Sequence, residues 1–561
     1  MSIVVVPGDA SSSISAETVQ KLTAQLGFDI SNKQDAEDYL AVLRSFEGVL
    51  KMTERAPDYI PTELEPHPTT SLRAFTQPEA GQNPFNAWSH HCELQSSAPE
   101  SSLLQGRSVV IKDNISVGGL PTTCGLPASL FSSPDGKHPI SPIDAPVVAR
   151  ILAAGATIKG TSTCEAYCTS PLSFTSATGP VHNAFLHGYT SGGSSSGSGV
   201  LVARNKVAGN GEDVGPTVEM AIGSDQAGSV RIPAAYNGIY GLKPTSGLVP
   251  YTGATSMTPM VDHLGPMAAN LEDIAALLEA IAGYDGFDPR MTPESPMRNN
   301  VKAYSKLLAQ TRQDIQSSAK PGQGLRVGIL KEAFDMPNVT EGLRNAICTN
   351  ARKYLEAVGA TVMDISIPMH AQGPALWQAS TRPSMANWLC RGNPSGNLTY
   401  LPPHIKLTWP FAQDSFETLS ATNAAVVNVL LSERFASTSE GAAGMEGKAH
   451  RKIFELRAAY DKALKEVDVL LLPTVPSAAF AHPAKDASVL TRLMAPVGVT
   501  NNTCPFNISG HPGLSVPCGF EKVEGADAEL PIGMQIVGRR FEDDRVLAAA
   551  ALYERGRELS G

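Results

Sequence analysis

The pattern of apolar and polar residues divides the chain into a short helical start and a long region in which strand and helix patterns alternate. From about Ala16 to Leu26 the pattern predicts a helix that is closed by Gly27. A second helix is predicted after Ser31, which has capping-box spacing to Gln34, and its apolar residues recur at helical period at Leu40, Leu43, Phe46 and Leu50.

Residues 57–84 carry several prolines and little periodicity, which is typical of a linker or of an arm lying on a larger domain. We therefore predict a helical domain with its arm over residues 1–80 and a main domain over residues 81–561. The helical part is either an element that docks on the main domain or a dimerisation element, and the pattern leaves both open.

After Arg107 the pattern is that of an α/β domain. Helices are predicted at residues 146–154, after a cap at Asn270, and up to about Gly359. Residues 204–216 are polar and glycine-rich and are predicted to be a surface insertion. Buried strands are predicted at residues 109–111, 157–158, 325–330, 362–367, 467–472 and 534–537. This alternation predicts a central mixed, twisted sheet covered by helices on both sides.

Length and charge exclude several classes of protein. The 561 residues suffice for one large domain and a smaller one, and a net charge of −10 without a cluster of Lys and Arg argues against nucleic acid as a partner. No basic segment precedes the short valine run at residues 4–6, and no apolar stretch approaches the roughly 20 residues of a membrane-spanning helix. We predict a cytoplasmic protein that does not bind membranes.

Eight cysteines are dispersed along the chain without a CxxC pair, so reduced thiols are expected. Cys164 and Cys168 are four residues apart, which would place both on one face of a helix. His90, His91 and Cys92 form a second group of possible metal ligands. Neither group alone has the four ligands of a structural zinc site, so we predict no metal and no cofactor.

The candidate chemistry lies in three segments. Lys112 ends the apolar run that starts at Val109, and two segments rich in serine and glycine follow at residues 191–199 and 223–233. A serine hydroxyl attacks a carbonyl carbon only when a base removes its proton, and burial of a lysine favours the neutral amine that can act as that base. The three segments therefore indicate amide hydrolysis without a histidine.

These segments resemble those of the amidase signature family, whose serine hydrolases use a triad of Lys, cis-Ser and Ser. The resemblance continues through residues 232–245 and 261–267 and returns at residues 505–512 and 533–538, so it covers most of the chain after about Arg107. Within the family, the residues of these motifs most resemble those of bacterial aliphatic and aryl amidases with an N-terminal helical domain. The resemblance implies an amidase-signature α/β fold, a small-molecule amide substrate and a homodimer.

Each triad residue has a role that the resemblance implies. Lys112 is the general base, Ser194 relays the proton, and Ser229 is the nucleophile. The peptide bond between Gly193 and Ser194 is expected to be cis. Ser194 Oγ is expected within hydrogen-bond reach of both Lys112 Nζ and Ser229 Oγ.

An oxyanion hole is expected from the backbone N–H groups of Gln226, Ala227, Gly228 and Ser229. Bacterial amidases of this kind usually have glycine where this chain has Ala227, and a positive φ at this position would cost an alanine about 1–2 kcal/mol. Allophanate hydrolases, another branch of the family, also resemble this chain in having alanine there, which favours a carbamoyl-type substrate. Four further residues are expected to support the site: Gly193, Ser224, Asp225 and Arg231.

Several alternatives stay open. Residues 193–197 also satisfy the GxSxG motif of α/β-hydrolases, which would make Ser195 the nucleophile, although the residues before it make a poor strand. The glycine-rich loops would also suit a non-catalytic anion-binding protein. Within the family, the alternatives are a carbamate or allophanate-like hydrolase and an amidotransferase A-type subunit. The motifs do not name the acyl group, and the candidates for an acyl-pocket lining are the aromatic residues Trp377, Trp388, Trp409 and Phe411.

Overall fold

The chain divides into two units, Met1–Pro61 and Thr62–Gly561. The computed structural model describes residues 12–133, 135–208, 215–387, 408–439 and 444–561. Over these ranges, none of the helices combines the length and the apolar character needed to cross a membrane.

The first unit is a pair of helices, α1 (Ala16–Leu26) and α2 (Lys33–Arg55). Helix α1 has the predicted bounds and is closed by Gly27, whose φ of 82° is the left-handed conformation that favours glycine. Several large apolar side chains of this unit are exposed, among them Leu26, Phe46, Leu50 and Met52.

Helix α2 is capped by Asn32 and not by Ser31 as the sequence predicted. The side-chain oxygen of Asn32 accepts hydrogen bonds from the backbone N–H groups of Gln34 (2.8 Å) and Asp35 (3.3 Å). An asparagine amide oxygen caps a helix as well as a serine hydroxyl does. Because Ser31 and Asn32 are both good capping residues, the sequence did not decide which of them is the N-cap of α2.

The second unit is built on a sheet of 12 strands. They are β1 (Phe75–Thr76), β2 (Trp88–Gln95), β3 (Ser108–Lys112), β4 (Thr157–Ser162), β5 (Met220–Ser224), β6 (Tyr240–Lys243), β7 (Leu264–Ala268), β8 (Arg326–Leu330), β9 (Thr361–Ile365), β10 (Val469–Pro473), β11 (Gly513–Lys522) and β12 (Glu529–Val537). Their order across the sheet is β1-β2-β4-β3-β5-β7-β6-β11-β12-β10-β8-β9. Strand β3 is parallel to β4 and β5, and β8 is parallel to β9 and β10, whereas the other neighbouring strands are antiparallel.

Helices flank this sheet. They are α3 (Pro146–Ala153), α4 (Ser196–Ala208), α5 (Arg231–Tyr236), α6 (Leu271–Ile281), α7 (Tyr304–Ser317), α8 (Glu341–Asn345), α9 (Arg352–Ala357), α10 (Gly373–Met385), α11 (Gln413–Thr422), α12 (Ala424–Thr438), α13 (Met445–Glu466), α14 (Val489–Met494), α15 (Cys504–Ser509) and α16 (Asp543–Leu559). The mixed sheet and its flanking helices confirm the predicted α/β fold. Strand β3 is an interior strand, and Val109, Val110 and Ile111 are fully buried in it, as expected of a strand covered on both faces.

The arm belongs to the larger unit, so the boundary between units falls at Pro61 and not at residue 80. Arg73 anchors this segment: its guanidinium donates to Asp144 Oδ1 (2.9 Å), to Asp144 Oδ2 (2.7 Å) and to the carbonyl oxygen of Gly118 (2.9 Å). Proline-rich composition identified an arm, but the partners of Arg73 are 45 and 71 residues away in sequence.

Helix α4 extends into the predicted surface insertion, so residues 204–208 are helical and were wrongly assigned to it. Arg204 Nη1 donates to the carbonyl oxygen of Ala184 at 3.1 Å. The buried apolar run that begins at Val200 lies in a helix that continues past the point where the sequence becomes polar. Residues 209–214 of the predicted insertion lie outside the described residues.

Replacement of Arg73 by methionine is expected to lower the free energy of unfolding by about 3 kcal/mol, because the buried Asp144 carboxylate would lose its counter-charge. Urea denaturation measures this change. The matched control is Arg545→Met, since Arg545 contacts Glu542 at 3.1 Å on the surface and such pairs contribute about 0–1 kcal/mol. Equal losses for the two variants would contradict the anchoring role of Arg73.

Candidate active site

Two neighbouring parallel strands bring Lys112 and Ser224 together. Lys112 ends β3 and Ser224 ends β5, and the strands are paired with Ile111 opposite Ile222. Because parallel strands end at the same edge of a sheet, the two side chains meet there: Lys112 Nζ lies 2.8 Å from Ser224 Oγ. Lys112 is completely buried.

The third member of this cluster, Ser194, lies in the loop before α4. Its Oγ is 2.8 Å from Lys112 Nζ, and the peptide bond between Gly193 and Ser194 is cis, as the resemblance implies. A Cβ on Gly193 would come within 2.6 Å of the carbonyl oxygen of Ser170 and 2.9 Å of Glu165 Cγ. The loop therefore requires glycine at position 193.

Ser229 lies beside this cluster and lines a cavity of about 370 Å³. It is 6% exposed, and its carbonyl oxygen accepts a hydrogen bond from Ser195 N at 3.2 Å. In the described part of the chain, Ser229 Oγ makes no hydrogen bond to Ser194, so one of the two expected contacts of Ser194 is missing. A serine hydroxyl rotates freely about its Cβ, and catalytic hydrogen bonds in substrate-free proteins are often long until substrate binds.

The loop at residues 226–229 leaves three of its four backbone N–H groups available. Gly228 N donates to Asp225 Oδ1 at 2.7 Å and is therefore not a free donor, contrary to the expectation from the sequence. The N–H groups of Gln226, Ala227 and Ser229 donate to no other group among the described residues. These three groups are the ones that can stabilise an oxyanion in the cavity.

Ala227 does not have a positive φ, so the cost considered for its Cβ does not arise. The residue with the unusual backbone is the next one: Gly228 has a φ of 132°, and a Cβ there would lie 2.4 Å from Thr503 Oγ1 and 2.6 Å from Ile232 Cδ1. The glycine that this loop needs is thus present at position 228, which explains why alanine is accommodated at position 227.

Asp225 and Arg231 form a buried ion pair, with Arg231 Nη2 2.9 Å from Asp225 Oδ1 and both side chains unexposed. Burial alone would raise the pKa of Asp225, but the Arg231 guanidinium holds it well below its usual range. Arg231 also donates to Gln535 Oε1 (2.6 Å) and to Asn507 Oδ1 (2.7 Å). This network fixes the nucleophile loop to β12 and α15, as the supporting role predicted for both residues requires.

Three further side chains hold the same loop, and sequence reasoning did not assign them this role. Trp377 Nε1 donates to the carbonyl oxygen of Gln226 (2.9 Å), and Gln226 Nε2 donates to the Tyr251 hydroxyl (2.6 Å). Thr503 Oγ1 donates to the carbonyl oxygen of Ala227 (2.5 Å). These bonds occupy the carbonyls and side chains of the loop and leave its N–H groups for a ligand. A motif search has no signal for them because the partners are up to 276 residues apart.

A buried carboxyl group lies next to the cis peptide. Glu165 N donates to the carbonyl oxygen of Ser194 at 3.3 Å. The Glu165 carboxyl accepts hydrogen bonds from Thr175 N (2.7 Å), Thr175 Oγ1 (2.6 Å) and Ser196 Oγ (2.8 Å). Burial raises the pKa of Glu165 to about 7, so this group titrates close to neutral pH.

Cys164 and Cys168 lie in a turn and not on one face of a helix, so that prediction is wrong. Tyr167 and Cys168 have φ angles of 54° and 56°, which interrupt a helical repeat. Across the ranges that the structure describes, no group of three or more His, Cys, Asp or Glu side chains is arranged to hold a metal ion. His90, His91 and Cys92 lie on β2, whose pairing with β4 is irregular on both sides of His90 and His91.

The predicted aromatic lining holds for one of its four members. Trp377 lines the cavity, whereas Trp409 and Phe411 contact each other with ring centroids 5.0 Å apart and are not part of the lining. Trp388 lies outside the described residues. Ser195, the nucleophile of the α/β-hydrolase alternative, is fully buried, and its Oγ donates to the carbonyl oxygen of Ser224 at 3.2 Å. This position does not suit a nucleophile that must meet substrate.

Comparison with known sequences shows which proteins this chain is similar to. A sequence profile described as Amidase matches residues 86–547. An enantioselective amidase from Rhodococcus rhodochrous is 35% identical over 491 residues, which cover 86% of this chain and 85% of that protein. The A-type subunit of glutamyl-tRNA(Gln) amidotransferase from Methanosarcina barkeri (strain Fusaro / DSM 804) is 33% identical over 459 residues, which cover 80% of this chain and 84% of that protein.

Solved structures agree. The peptide amidase of Stenotrophomonas maltophilia has a TM-score of 0.60 at 26% identity, over 81% of this chain and 83% of that chain. A bacterial aryl acylamidase has a TM-score of 0.62 at 21% identity, over 81% of this chain and 83% of that chain, and this likeness shows the fold alone. With a profile match over most of its length and a relative at 35% identity, the chain belongs to the amidase signature family.

Proposed function

We propose that the protein hydrolyses the C–N bond of linear carboxylic amides through an acyl-enzyme on Ser229, releasing a carboxylate and ammonia or an amine. The observation that carries this proposal is the contact of the buried Lys112 amine with the Ser194 hydroxyl beside the cavity that Ser229 lines. The proposal needs no metal and no cofactor.

The proton path runs through the two serines. Lys112 takes a proton from Ser194 as Ser194 takes one from Ser229, and Ser229 Oγ then bonds to the amide carbon. The negative charge on the former carbonyl oxygen is stabilised by the free N–H groups of Gln226, Ala227 and Ser229. Ser194 next protonates the departing nitrogen, which breaks the C–N bond. Water, activated through the same path, finally hydrolyses the ester and restores Ser229.

Simple carboxylic amides are the substrates we propose first, because an enantioselective amidase and a peptide amidase are among the similar proteins. Similarity to an amidotransferase A-type subunit keeps ammonia transfer to a partner protein as the second candidate. Carbamates and allophanate-like amides remain alternative substrates. Turnover by the purified chain alone, with ammonia released to solution, distinguishes the first candidate from the second.

Catalysis is expected to require both Lys112 and Ser229. Ser229→Ala and Lys112→Ala should each reduce kcat for amides by at least about 1000-fold, and the double variant should be little worse, because triad members act as a unit. Ammonia release measures the loss. The matched control is Ser195→Ala, which should retain most activity, and a serine-reactive probe should label Ser229. Labelling of Ser195 instead would establish the α/β-hydrolase alternative.

No histidine is expected to act as the base in the proton path, so the fall of kcat/KM with falling pH should not depend on any histidine. Burial lowers the pKa of His263 well below its usual range and also lowers the pKa of His511. The variants His263→Asn and His511→Asn should therefore keep the acidic limb of the pH–rate profile at the wild-type pH, as should the exposed control His187→Asn.

Glu165 is a further group that could produce an acidic limb, because burial raises its pKa to about 7. Glu165→Gln preserves the shape of the side chain and removes its titration. The limb should persist in this variant. Its disappearance in Glu165→Gln, or in either buried-histidine variant, would overturn the role of Lys112 as the base.

We also propose that the protein is a homodimer and that the helical pair α1–α2 forms its interface, as the family resemblance implied. Leu26 is 72% exposed, and Phe46 and Leu50 are each 55% exposed, so this helical pair presents several large apolar side chains to solvent. A dimer interface would bury them.

The double substitution Phe46→Glu/Leu50→Glu is expected to convert the dimer into a monomer, because four carboxylates would be buried in the interface. Light scattering coupled to size exclusion measures the mass. Phe520→Glu, at a residue of the main unit that is 61% exposed, is the control and should leave the mass unchanged. A wild-type monomer at all concentrations would refute the proposal.

A further inference from the structure

The cavity beside Ser229 has an unbalanced charge. Among the described residues that line it, the charged ones are Arg382 and Arg492, and none is an aspartate or a glutamate. The chain as a whole has a net charge of −10, so the positive charge of this lining is opposite in sign to the charge of the whole chain. The electrostatic field inside the cavity therefore favours an anion.

Arg382 has no partner within the described structure: its guanidinium forms no hydrogen bond and no ion pair there. It is half-buried on α10, and burial lowers its pKa. A half-buried guanidinium without a protein partner is partly desolvated, and a ligand that supplies hydrogen-bond acceptors would stabilise it.

Arg492 on α14 is also incompletely satisfied. Its Nη1 contacts the carbonyl oxygen of Ala421. Its Nε is buried and has no hydrogen-bond partner among the described residues. Both arginines therefore retain N–H groups for an acceptor that enters the cavity.

Helix α10 relates Arg382 to the reacting centre. Trp377, Gln378, Arg382 and Met385 all line the cavity, as residues on one helix face would. Trp377 is bonded to the oxyanion loop through Gln226, and five residues of α-helix span about 7.5 Å. A small molecule a few covalent bonds long could therefore place an anionic group at Arg382 and its amide carbonyl at the loop.

We propose that this cavity selects amides that carry a carboxylate, which Arg382 binds through its two-pronged guanidinium while Arg492 adds positive charge. This inference rests on the proposed amidase function and adds to it a substrate class. The planar fork of an arginine matches the two oxygens of a carboxylate, which a lysine does not reproduce. The carboxylate is carried either by the acyl part or by the departing amine.

Paired substrates test the inference. On the acyl side, the monoamides of succinic, glutaric and adipic acid are compared with their methyl esters. On the amine side, N-acetylglycine is compared with its methyl ester. The measured quantity is the ratio of kcat/KM for the charged amide to kcat/KM for its neutral partner, which cancels general losses of activity or folding. We expect the wild type to prefer the charged member in one of the two series, and that series identifies the source of the carboxylate.

Arg382→Met should lower this ratio at least about 10-fold, the effect of removing a hydrogen bond to a charged group. Arg382→Lys should restore it only in part. Arg434→Met removes an exposed arginine outside the cavity and should leave the ratio unchanged. Arg382→Glu should reverse the preference, so that 6-aminohexanamide is hydrolysed faster relative to hexanamide than by the wild type.

The inference and the proposed function fail in different ways. If neutral amides are hydrolysed and the ratio is the same in wild type and Arg382→Met, the carboxylate inference is wrong and the amidase function stands. If no amide is hydrolysed, the proposed function is wrong, and glutarate decides the inference. Glutarate should raise the Tm of the wild type and not that of Arg382→Met, and equal shifts in both would overturn the inference.

Discussion

A lysine buried at the end of an interior strand, with two hydroxyls as its nearest hydrogen-bond partners, is the arrangement on which the rest of the site depends. Lys112 contacts Ser194 and Ser224 at 2.8 Å each, and no described aspartate or glutamate forms an ion pair with it. Hydroxyls leave a lysine able to exchange a proton, whereas a carboxylate at the same distance would hold it as an ammonium. The parallel pairing of β3 with β5 supplies one hydroxyl, and the loop around the cis peptide supplies the other.

The nucleophile loop depends on the opposite kind of interaction. Asp225 and Arg231 are oppositely charged partners with unexposed side chains, and each fills its remaining hydrogen-bonding capacity with fixed protein groups, as a buried pair must. Asp225 also takes the N–H group of Gly228, and Trp377 takes a carbonyl of the loop. Donors held in advance cost no reorganisation when charge develops on substrate. The other polar groups of the loop already have hydrogen-bond partners, so the three remaining N–H groups are held in place for an oxyanion.

Much of this could be predicted from the sequence, because the signals are local. A run of β-branched residues predicts β3, and the short segments around Ser194 and Ser229 carry the family resemblance. The predictions failed where two groups compete for the same hydrogen bond, and where the partner lies far away in the sequence. Gly228 was expected to donate to the oxyanion, but the carboxylate of Asp225 competes for the same N–H group. Neighbouring residues could not reveal the anchor of Arg73, which lies 71 residues away at Asp144.

The sequence motifs give the least information about substrate selection. Arg382 and Arg492 are 110 residues apart and lie on different helices, so their shared cavity exists only in the folded chain. One weak signal was present: Arg382 has Gln378, Ala379, Met385 and Ala386 three and four positions away, and none of them carries a negative charge. A charged residue on a helix face otherwise occupied by Trp377 and Met385 must find its counter-charge elsewhere. In this family fold, reactive groups come from strand ends and signature loops, and here the candidate recognition groups come from helices outside them.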